Sequence, residues 1–183
     1  MLLGDRKSKQ EGQGAILQNL LAKAGHQVDS LTLNREELKP CTGCFNCWLK
    51  TPGRCVITND AANNISAQVV CADAVVLLSE ITYGSCSADT KAWLDRVIPN
   101  ALPYMEMYQG ELHHKKRYKR LPLWIMAGYG QASGSEKSIF VKFVERNMLN
   151  LQQKKYLALV VENNAALTEE TSAILRFLGE VGA

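Results

Sequence analysis

Apolar residues fall into short runs of strand length, separated by longer stretches with helical periodicity. The clearest run is 74–78, AVVLL, and similar runs occupy 123–127 and 156–161. Runs that are apolar on both faces are typical of parallel strands covered by helices on both sides. Two weaker runs lie earlier, at 1–3 and 27–33, and the second is expected nearer an edge of the sheet because it is less apolar.

Amphipathic stretches follow these runs in turn and predict the helices. The first three expected helices are 15–24, a helix from an N-cap at Asp60 to about residue 71, and 88–98. The fourth is capped by Ser135 and has Ile139, Phe140, Phe143 and Val144 on its core face. The last begins at Thr168, Glu169 and Glu170 and buries Ile174, Leu175, Leu178 and Val181. Five strands that alternate with helices predict an α/β fold with a doubly wound parallel sheet.

Small and polar residues follow three of the strands. We name these stretches the first turn (4–14), the second turn (80–87) and the third turn (128–134). Ligands of open α/β sheets bind at the carboxyl ends of the strands. Three turns at one sheet edge can hold one elongated ligand with a phosphate at one end.

The first turn has the means to bind an anion, because backbone N–H groups at a helix start attract negative charge. Arg6, Lys7 and Lys9 add positive charge, and Ser8 and Gln13 can donate hydrogen bonds. The turn matches neither GxGxxG nor GxxxxGK[ST], so an ordinary exposed strand-to-helix connection is the alternative.

Four cysteines lie close together in 40–60, PCTGCFNCWLKTPGRCVITND, which we name the cysteine segment. The ligand candidates are Cys41, Cys44, Cys47 and Cys55. Three closely spaced thiolates and a fourth nearby are typical of a four-iron cluster. Reduced structural thiols are an equal alternative, and a redox-active pair of Cys44 and Cys47, zinc or a disulfide are others. Cys86, in the second turn, is expected to be a small residue beside a ligand rather than a reactive thiol.

Composition limits the classes of function. A length of 183 residues suggests one domain, 1–183, with an insertion at about 99–121. The N-terminus lacks the features of a signal peptide, the apolar runs are too short to span a membrane, and six cysteines fit a reducing, cytoplasmic location. The net charge of +3 comes from 113–120, HHKKRYKR, the basic run. A solvated face is its expected role; a nucleotide phosphate or a nucleic acid is an alternative partner.

Three segments carry a resemblance to a known family: PCTGCFNCW with GRCVITND, EITYGSCSADTKAWLDR, and GYGQASG. They resemble the NAD(P)H-dependent FMN reductase family of flavodoxin-like proteins over nearly the whole chain. The most specific feature is the flavin loop followed by Lys91, Asp95 and Arg96 in a Lys-x-x-x-Asp-Arg pattern. The cysteine spacing is similar to that of the iron–sulfur flavoproteins. The resemblance implies a five-stranded sheet in the order 2-1-3-4-5.

The resemblance also implies the cofactor contacts. The FMN phosphate would be held by Arg6, Ser8, Gln13 and Gly14; the isoalloxazine would lie against Ile81, Thr82, Tyr83, Gly84 and Ser85, mostly through backbone; and Tyr129, Gly130 and Gln131 would cover the other rim. The family commonly has Ser-Pro-Arg in the first turn, where this chain has Asp5-Arg6-Lys7. An acid beside a phosphate is unfavourable, so we expect Asp5 to turn away or to pair with a base.

The implied activity is hydride transfer from NAD(P)H to FMN and on to a flavin, quinone or protein acceptor, with no side-chain acid or base nominated. If the four cysteines hold a 4Fe-4S cluster, they relay single electrons. An electron carrier without NAD(P)H turnover, a flavin-free metal domain and a nucleic-acid-binding module based on the basic run are the alternatives. A homodimer or tetramer is expected, with a small molecule or a redox protein as partner and neither nucleic acid nor a membrane.

Overall fold

The computed structural model describes residues 1–182, with side chains up to residue 180. The strands are β1 Leu2–Asp5, β2 Ser30–Leu33, β3 Ala74–Thr82, β4 Ser85–Cys86, β5 Ala101–Tyr108, β6 Glu111–Lys116, β7 Leu123–Tyr129 and β8 Tyr156–Val161. The helices are α1 Arg6–Gln10, α2 Gln13–Lys23, α3 Asn46–Leu49, α4 Ala62–Cys71, α5 Ala88–Leu94, α6 Gly134–Asn150 and α7 Asn164–Gly182, with a 3₁₀ turn at Ile98–Asn100. The expected burial of Val181 lies outside the described side chains.

The parallel sheet has the order β2-β1-β3-β7-β8. This is the predicted flavodoxin-like order 2-1-3-4-5, since β4 pairs only with β3 and β5 with β6 form a separate hairpin. Strand β2 lies at an edge, as predicted, and only Leu33 of its four residues is buried. The edge strands β2 and β8 flank β1, β3 and β7, and the three turns follow the carboxyl ends of these inner strands.

Alternate residues of β3 serve opposite faces of the sheet. Val75 and Leu77 pack with α4, α5 and α6, whereas Val76 and Leu78 pack with α2 and α7. This two-residue period within a wholly apolar run is the physical reason that AVVLL forms a central strand. Helices therefore cover both faces.

Two boundaries of the sheet differ from the sequence prediction. Strand β3 continues beyond the predicted run 74–78 and ends at Thr82; the chain then reverses so that β4 pairs antiparallel with β3. Strand β7 similarly continues to Tyr129. Ser79 and Glu80 interrupted the apolar run, but parallel pairing with β7 holds them in the strand.

Three helix starts also differ. Helix α4 begins after Ala61, although Asp60 still accepts a hydrogen bond from the Ala62 N–H. Helix α6 is capped by Ser133, not Ser135, because Ser133 and Glu136 form a reciprocal capping box. Ile139 is half exposed rather than buried, and α7 begins at Asn164, where Asn163 accepts a hydrogen bond from the Ala166 N–H.

The stretch 99–121 contains the β5–β6 hairpin. Its tip, Gln109 and Gly110, has positive φ at both residues, as two-residue hairpin turns favour. Arg146 of α6 binds the Glu111 carboxylate through two hydrogen bonds of 2.8 and 2.6 Å. The strands lack alternating apolar residues, so no periodic pattern had indicated them.

Candidate functional site

The three turns lie at the same edge of the sheet. Strands β1, β3 and β7 are neighbours and parallel, so the first, second and third turns leave their carboxyl ends side by side. A cavity of about 630 Å³ opens at this edge. It is lined by Lys7, Glu11, Gln13, Tyr129, Gly130, Gln131, Val161, Glu162, Asn163, Asn164, Ala165 and Leu167. This volume is in the range of small-molecule sites.

Asp5 organises the first turn. Its buried carboxylate accepts hydrogen bonds from the Ser8 N–H (2.9 Å), the Glu80 N–H (2.7 Å) and the Tyr129 hydroxyl (2.5 Å). Asp5 therefore turns inward and caps α1 instead of pairing with a base. This acid joins all three turns, because its three donors come from one turn each.

Two cations of the first turn, Arg6 and Lys7, are already paired with carboxylates. Arg6 lies 3.0 Å from Asp89 and 2.7 Å from Glu36, and Lys7 binds Glu80. The Glu80 hydrogen bond raises the pKa of Lys7. Burial opposes the charge on Asp89, but the Arg35 N–H and the Arg6 guanidinium lower its pKa overall. Arg6 thus bridges the first turn to α5 rather than standing free for a ligand.

Gln13 and Gly14 begin α2. Gly12 adopts φ +86° as the N-cap and supplies no side chain, which leaves the first N–H groups of the helix for an anion. Gln13 is 8% exposed; its Nε2 donates to Glu11, while its Oε1 has no hydrogen-bond partner among the described residues. Ser8 donates to the Asp5 carbonyl oxygen and is buried.

The second turn is a tight reversal that exposes its tip. Ile81 and Thr82 end β3, and Ser85 begins β4. Tyr83 has φ +50° and a 90% exposed side chain, and Gly84 has φ +76°. A Cβ on Gly84 would lie 2.7 Å from Ile139 of α6, so glycine is required there for both conformation and space.

The third turn separates its residues into different environments. Tyr129 is buried, and burial followed by its hydrogen bond to Asp5 raises the pKa of its phenol. Gly130 has φ +107°, and Gln131 is exposed at the cavity. Gly130 and Gln131, rather than the Tyr129 hydroxyl, are therefore available to a ligand.

Arg96 of the Lys-x-x-x-Asp-Arg pattern clamps the cysteine segment. Its guanidinium donates to the carbonyl oxygens of Lys39 (2.6 Å) and Ile57 (3.1 Å), near the two ends of the segment, and binds the Asp60 carboxylate at 2.8 Å. The two charged side chains are 1% and 0% exposed. Lys91 and Asp95 instead form an exposed pair along α5.

The four thiols of the cysteine segment are free and differ in environment. Burial, with smaller effects of Cys55, Cys41 and Cys44, raises the pKa of Cys47. Cys44 is exposed, and hydrogen bonds from the Asn46 N–H and the Thr42 side chain lower its pKa. Within the described residues, no three His, Cys, Asp or Glu side chains converge as a metal site.

Cys86 is buried behind the second turn. Burial raises the pKa of this thiol to about 11. The thiol is therefore protonated at neutral pH and poorly reactive, because the thiolate is the nucleophile.

The basic run is not one continuous charged face. His113 is buried, Arg117 donates to the carbonyl oxygens of Pro99 and Ala101, and Arg120 pairs with Asp73. Only Lys115, Lys116 and Lys119 remain as exposed lysines in this part of the described chain. A charge distribution of this kind gives little basis for a nucleic-acid interface.

Several residues of this edge were not expected from the sequence. Asp89, Glu36 and Glu80 pair with the bases of the first turn, and Asn163 with Asn164 lines the cavity after β8. The two asparagines directly follow the last strand, so the same rule that selected the other turns could have identified them.

A model of the family described as NADPH-dependent FMN reductase matches residues 6–158. An iron-sulfur flavoprotein of Methanocaldococcus jannaschii is 35% identical over 81 residues, which are 44% of this chain and 40% of that protein. The matched stretch therefore spans about two fifths of the length of that relative.

Two solved structures have a similar fold. The NAD(P)H:quinone oxidoreductase of Methanothermobacter marburgensis superposes with a TM-score of 0.65 at 14% identity, covering 100% of this chain and 96% of that one. An FMN-dependent NADH-azoreductase from Bacillus anthracis in complex with FMN gives 0.59 at 11% identity, covering 97% and 98%. Among the described residues, no helix is both long and apolar enough to cross a membrane.

Proposed function

Because the chain belongs to the family of NADPH-dependent FMN reductases, we propose that it is an FMN-dependent oxidoreductase that takes hydride from NAD(P)H and passes electrons to a flavin, quinone or protein acceptor. The observation that carries this proposal is that the three strand-end turns lie at one edge of the sheet, where the first and third turns and the residues after β8 line a cavity of about 630 Å³. The six reduced thiols are in keeping with a cytoplasmic location.

The residues at this edge fit FMN on two counts. The uncapped start of α2 offers backbone N–H groups to a phosphate. The buried Gln13 Oε1, which lacks a partner among the described residues, can accept from a ribityl hydroxyl. We propose that the first turn holds the phosphate through α2, with Arg6, Ser8 and Asp5 maintaining the shape of the turn from behind.

Bound FMN would supply the hydride chemistry, which belongs to the cofactor. The contribution of the chain is orientation: Gly84 of the second turn and Gly130 of the third turn have positive φ and no side chain, which permits close approach of backbone to a ligand. We assign no acid or base. Lys7, which lines the cavity, forms an ion pair with Glu80, and the two charges neutralise one another.

The test is FMN binding followed by turnover. Protein purified with excess FMN should retain it and oxidise NADH or NADPH with quinone, ferric or flavin acceptors. Gln13→Leu should weaken FMN binding about tenfold, as loss of one buried hydrogen bond does. Gln10→Leu, at an exposed position of α1, is the matched control. A protein that binds no FMN contradicts the proposal, and one that binds FMN without NAD(P)H turnover is a carrier.

We also propose that Cys41, Cys44, Cys47 and Cys55 ligate a four-iron cluster. The supporting observations are that all four thiols of the cysteine segment are free and that the chain is similar to an iron-sulfur flavoprotein. Thiolates are the ligands of such clusters. Anaerobic purification with iron and sulfide should give a broad absorption shoulder that Cys44→Ser removes while FMN remains bound. Unchanged absorption in Cys44→Ser, or no shoulder at all, contradicts this assignment and leaves the flavin proposal intact.

A further inference from the structure

A second cavity, of about 410 Å³, lies at the opposite edge of the sheet from the flavin site. Trp124, the second residue of β7, and Pro122, just before this strand, form part of its lining. Residues of the β5–β6 hairpin, of α3, of α4 and of the chain that follows α6 form much of the rest. The cavity is therefore separate from the three turns, which leave the other ends of the same strands.

Aromatic rings form one wall of this cavity. Phe45 and Trp48 stack with ring centroids 5.3 Å apart and an interplanar angle of 17°, and Trp48 contacts His114 at 4.7 Å. Trp48 is fixed in place, because its indole N–H donates to the Ala101 carbonyl oxygen at 3.0 Å. Phe45 is half exposed. A fixed row of rings is suited to a planar molecule that continues the stack.

Three lining residues carry buried polar atoms without a hydrogen-bond partner among the described residues; one of them, His113 Nε2, lies 3.3 Å from the Glu111 carboxylate. Gln153 Nε2 and His114 Nδ1 are buried and make no hydrogen bond within residues 1–182 as described. Buried polar groups in proteins are nearly always paired, so an unpaired group at a cavity indicates a missing partner. The Gln153 amide nitrogen is only a donor, and the partner must therefore be an acceptor. Its terminal torsion is broad, which lets the amide turn toward a ligand.

Charge at this cavity has one sign. Lys115 and Lys116 line it, and no acidic residue of the described chain does. An uncharged or anionic molecule can therefore enter without meeting a carboxylate. The remaining lining is mostly aliphatic, including Val69, Val97 and Leu151. Apolar walls with a few placed polar groups are the general character of small-molecule sites.

We propose that this cavity is a second binding site, for a planar aromatic carbonyl compound. Its ring would pack against Trp48 and Phe45, and a carbonyl oxygen would accept from Gln153. The site includes part of the cysteine segment, since Phe45 and Trp48 lie within it and directly follow Cys44 and Cys47. Occupation does not require FMN at the other edge, so the proposal is independent of the proposed flavin activity.

The test is calorimetric titration with anthraquinone-2-sulfonate, without NAD(P)H, on FMN-free and on FMN-saturated protein. This probe has carbonyl acceptors and an anionic group but no open quinone carbon that Cys44 could attack. Binding should occur with equal affinity in both samples and quench tryptophan fluorescence. Gln153→Leu should weaken binding about tenfold, the effect of one hydrogen bond.

Controls separate the site from others. Gln68→Leu makes the same change at an exposed position of α4 and should bind as the unaltered protein does. Trp48→Leu, with its fold checked by thermal melting, should weaken binding more than Gln153→Leu. Equal affinities in all variants, loss of binding on FMN saturation, or no binding at all would overturn the proposal. If the protein fails to bind FMN, the FMN-free titration still decides it.

Discussion

The first turn and the cysteine segment are both candidates for holding a redox group, but they are held in place differently. Asp5, within the first turn, gathers donors from three turns at once. Arg96 lies outside the cysteine segment in the chain and grips its two ends. A turn organised from within has a fixed shape of its own. The cysteine segment takes its anchors from outside: besides Arg96, the Asn63 side chain accepts from the Cys55 N–H at 2.9 Å and donates to the Cys55 carbonyl oxygen at 3.0 Å.

Removal of the external clamp should have the largest effect. Arg96→Met would leave Asp60 buried without its cation, and loss of one member of a buried ion pair costs about 3–5 kcal/mol. The free energy of unfolding, measured by urea denaturation, should fall by that amount. Lys91→Met, which breaks an exposed pair on α5, is the control and should change it by about 0.5 kcal/mol or less.

The same variant tests whether the clamp serves the cysteines. Amide hydrogen exchange should accelerate through the cysteine segment in Arg96→Met, while the first turn keeps its protection. Equal acceleration in both regions would mean that Arg96 supports the fold generally and not the segment.

Loss of one hydrogen bond to Asp5, the anchor within the first turn, should lower the free energy of unfolding by less. Tyr129→Phe removes the donor to the buried Asp5 carboxylate and keeps the ring; hydrogen bonds to charged groups contribute about 1.5–3 kcal/mol. Two backbone N–H donors remain on Asp5, so the first turn should keep its shape. Urea denaturation measures the loss. Tyr83→Phe, at a 90% exposed position, should leave stability unchanged.

The sequence contained the sheet but not these two anchors. Continuous apolar runs predicted β3, β7 and β8, because a strand that is buried on both faces needs apolar residues along its whole length. Asp5 was noted only because it departs from a family pattern, and Arg96 only because it is part of one. Their partners lie far away in the chain: Asp5 is 124 residues from Tyr129, and Arg96 is 57 from Lys39. Pairing over such distances follows from the tertiary fold, which no local pattern records.

The site was predictable to the same extent. The rule that ligands lie at strand ends selected the three turns, which meet at one edge. It could not assign free and paired groups within a turn. The positive charges of Arg6 and Lys7 suit a phosphate, yet Arg6 is paired with Asp89 and Lys7 with Glu80. Those acids belong to other turns or helices, so only the packed structure relates them.

Acidic pH should reduce the difference in unfolding free energy between the Arg96→Met variant and the unaltered protein. Burial opposes the charge on Asp60, but Arg96 and the N–H groups of Lys39 and Ala62 lower its pKa below the ordinary 3.8. Its stabilising effect is therefore complete above pH 3.8 and is lost as the pH falls through the lowered value.

In Arg96→Met the pKa of Asp60 should rise, because its cation is absent. Asp60 of the variant is then protonated, which removes its unpaired buried charge, at a pH where Asp60 of the unaltered protein is still ionised and paired with Arg96. The gap in unfolding free energy should narrow on acidification by about 1.4 kcal/mol for each unit between the two pKa values. Urea titrations at several pH values from neutral to 4 measure it, and a constant gap would assign the loss to packing instead of charge.

The smallest effect should come from the outer edge of the first turn. Glu36 is 68% exposed and shares Arg6 with Asp89, whose side chain is only 11% exposed. Exposed ion pairs contribute about 0–1 kcal/mol. Glu36→Gln should therefore change the unfolding free energy by about 0.5 kcal/mol or less, whereas Asp89→Asn, which also weakens the bond to the Arg35 N–H, should cost more. If Glu36→Gln proves the more damaging variant, the first turn depends on its solvent-exposed rim and is not organised from within.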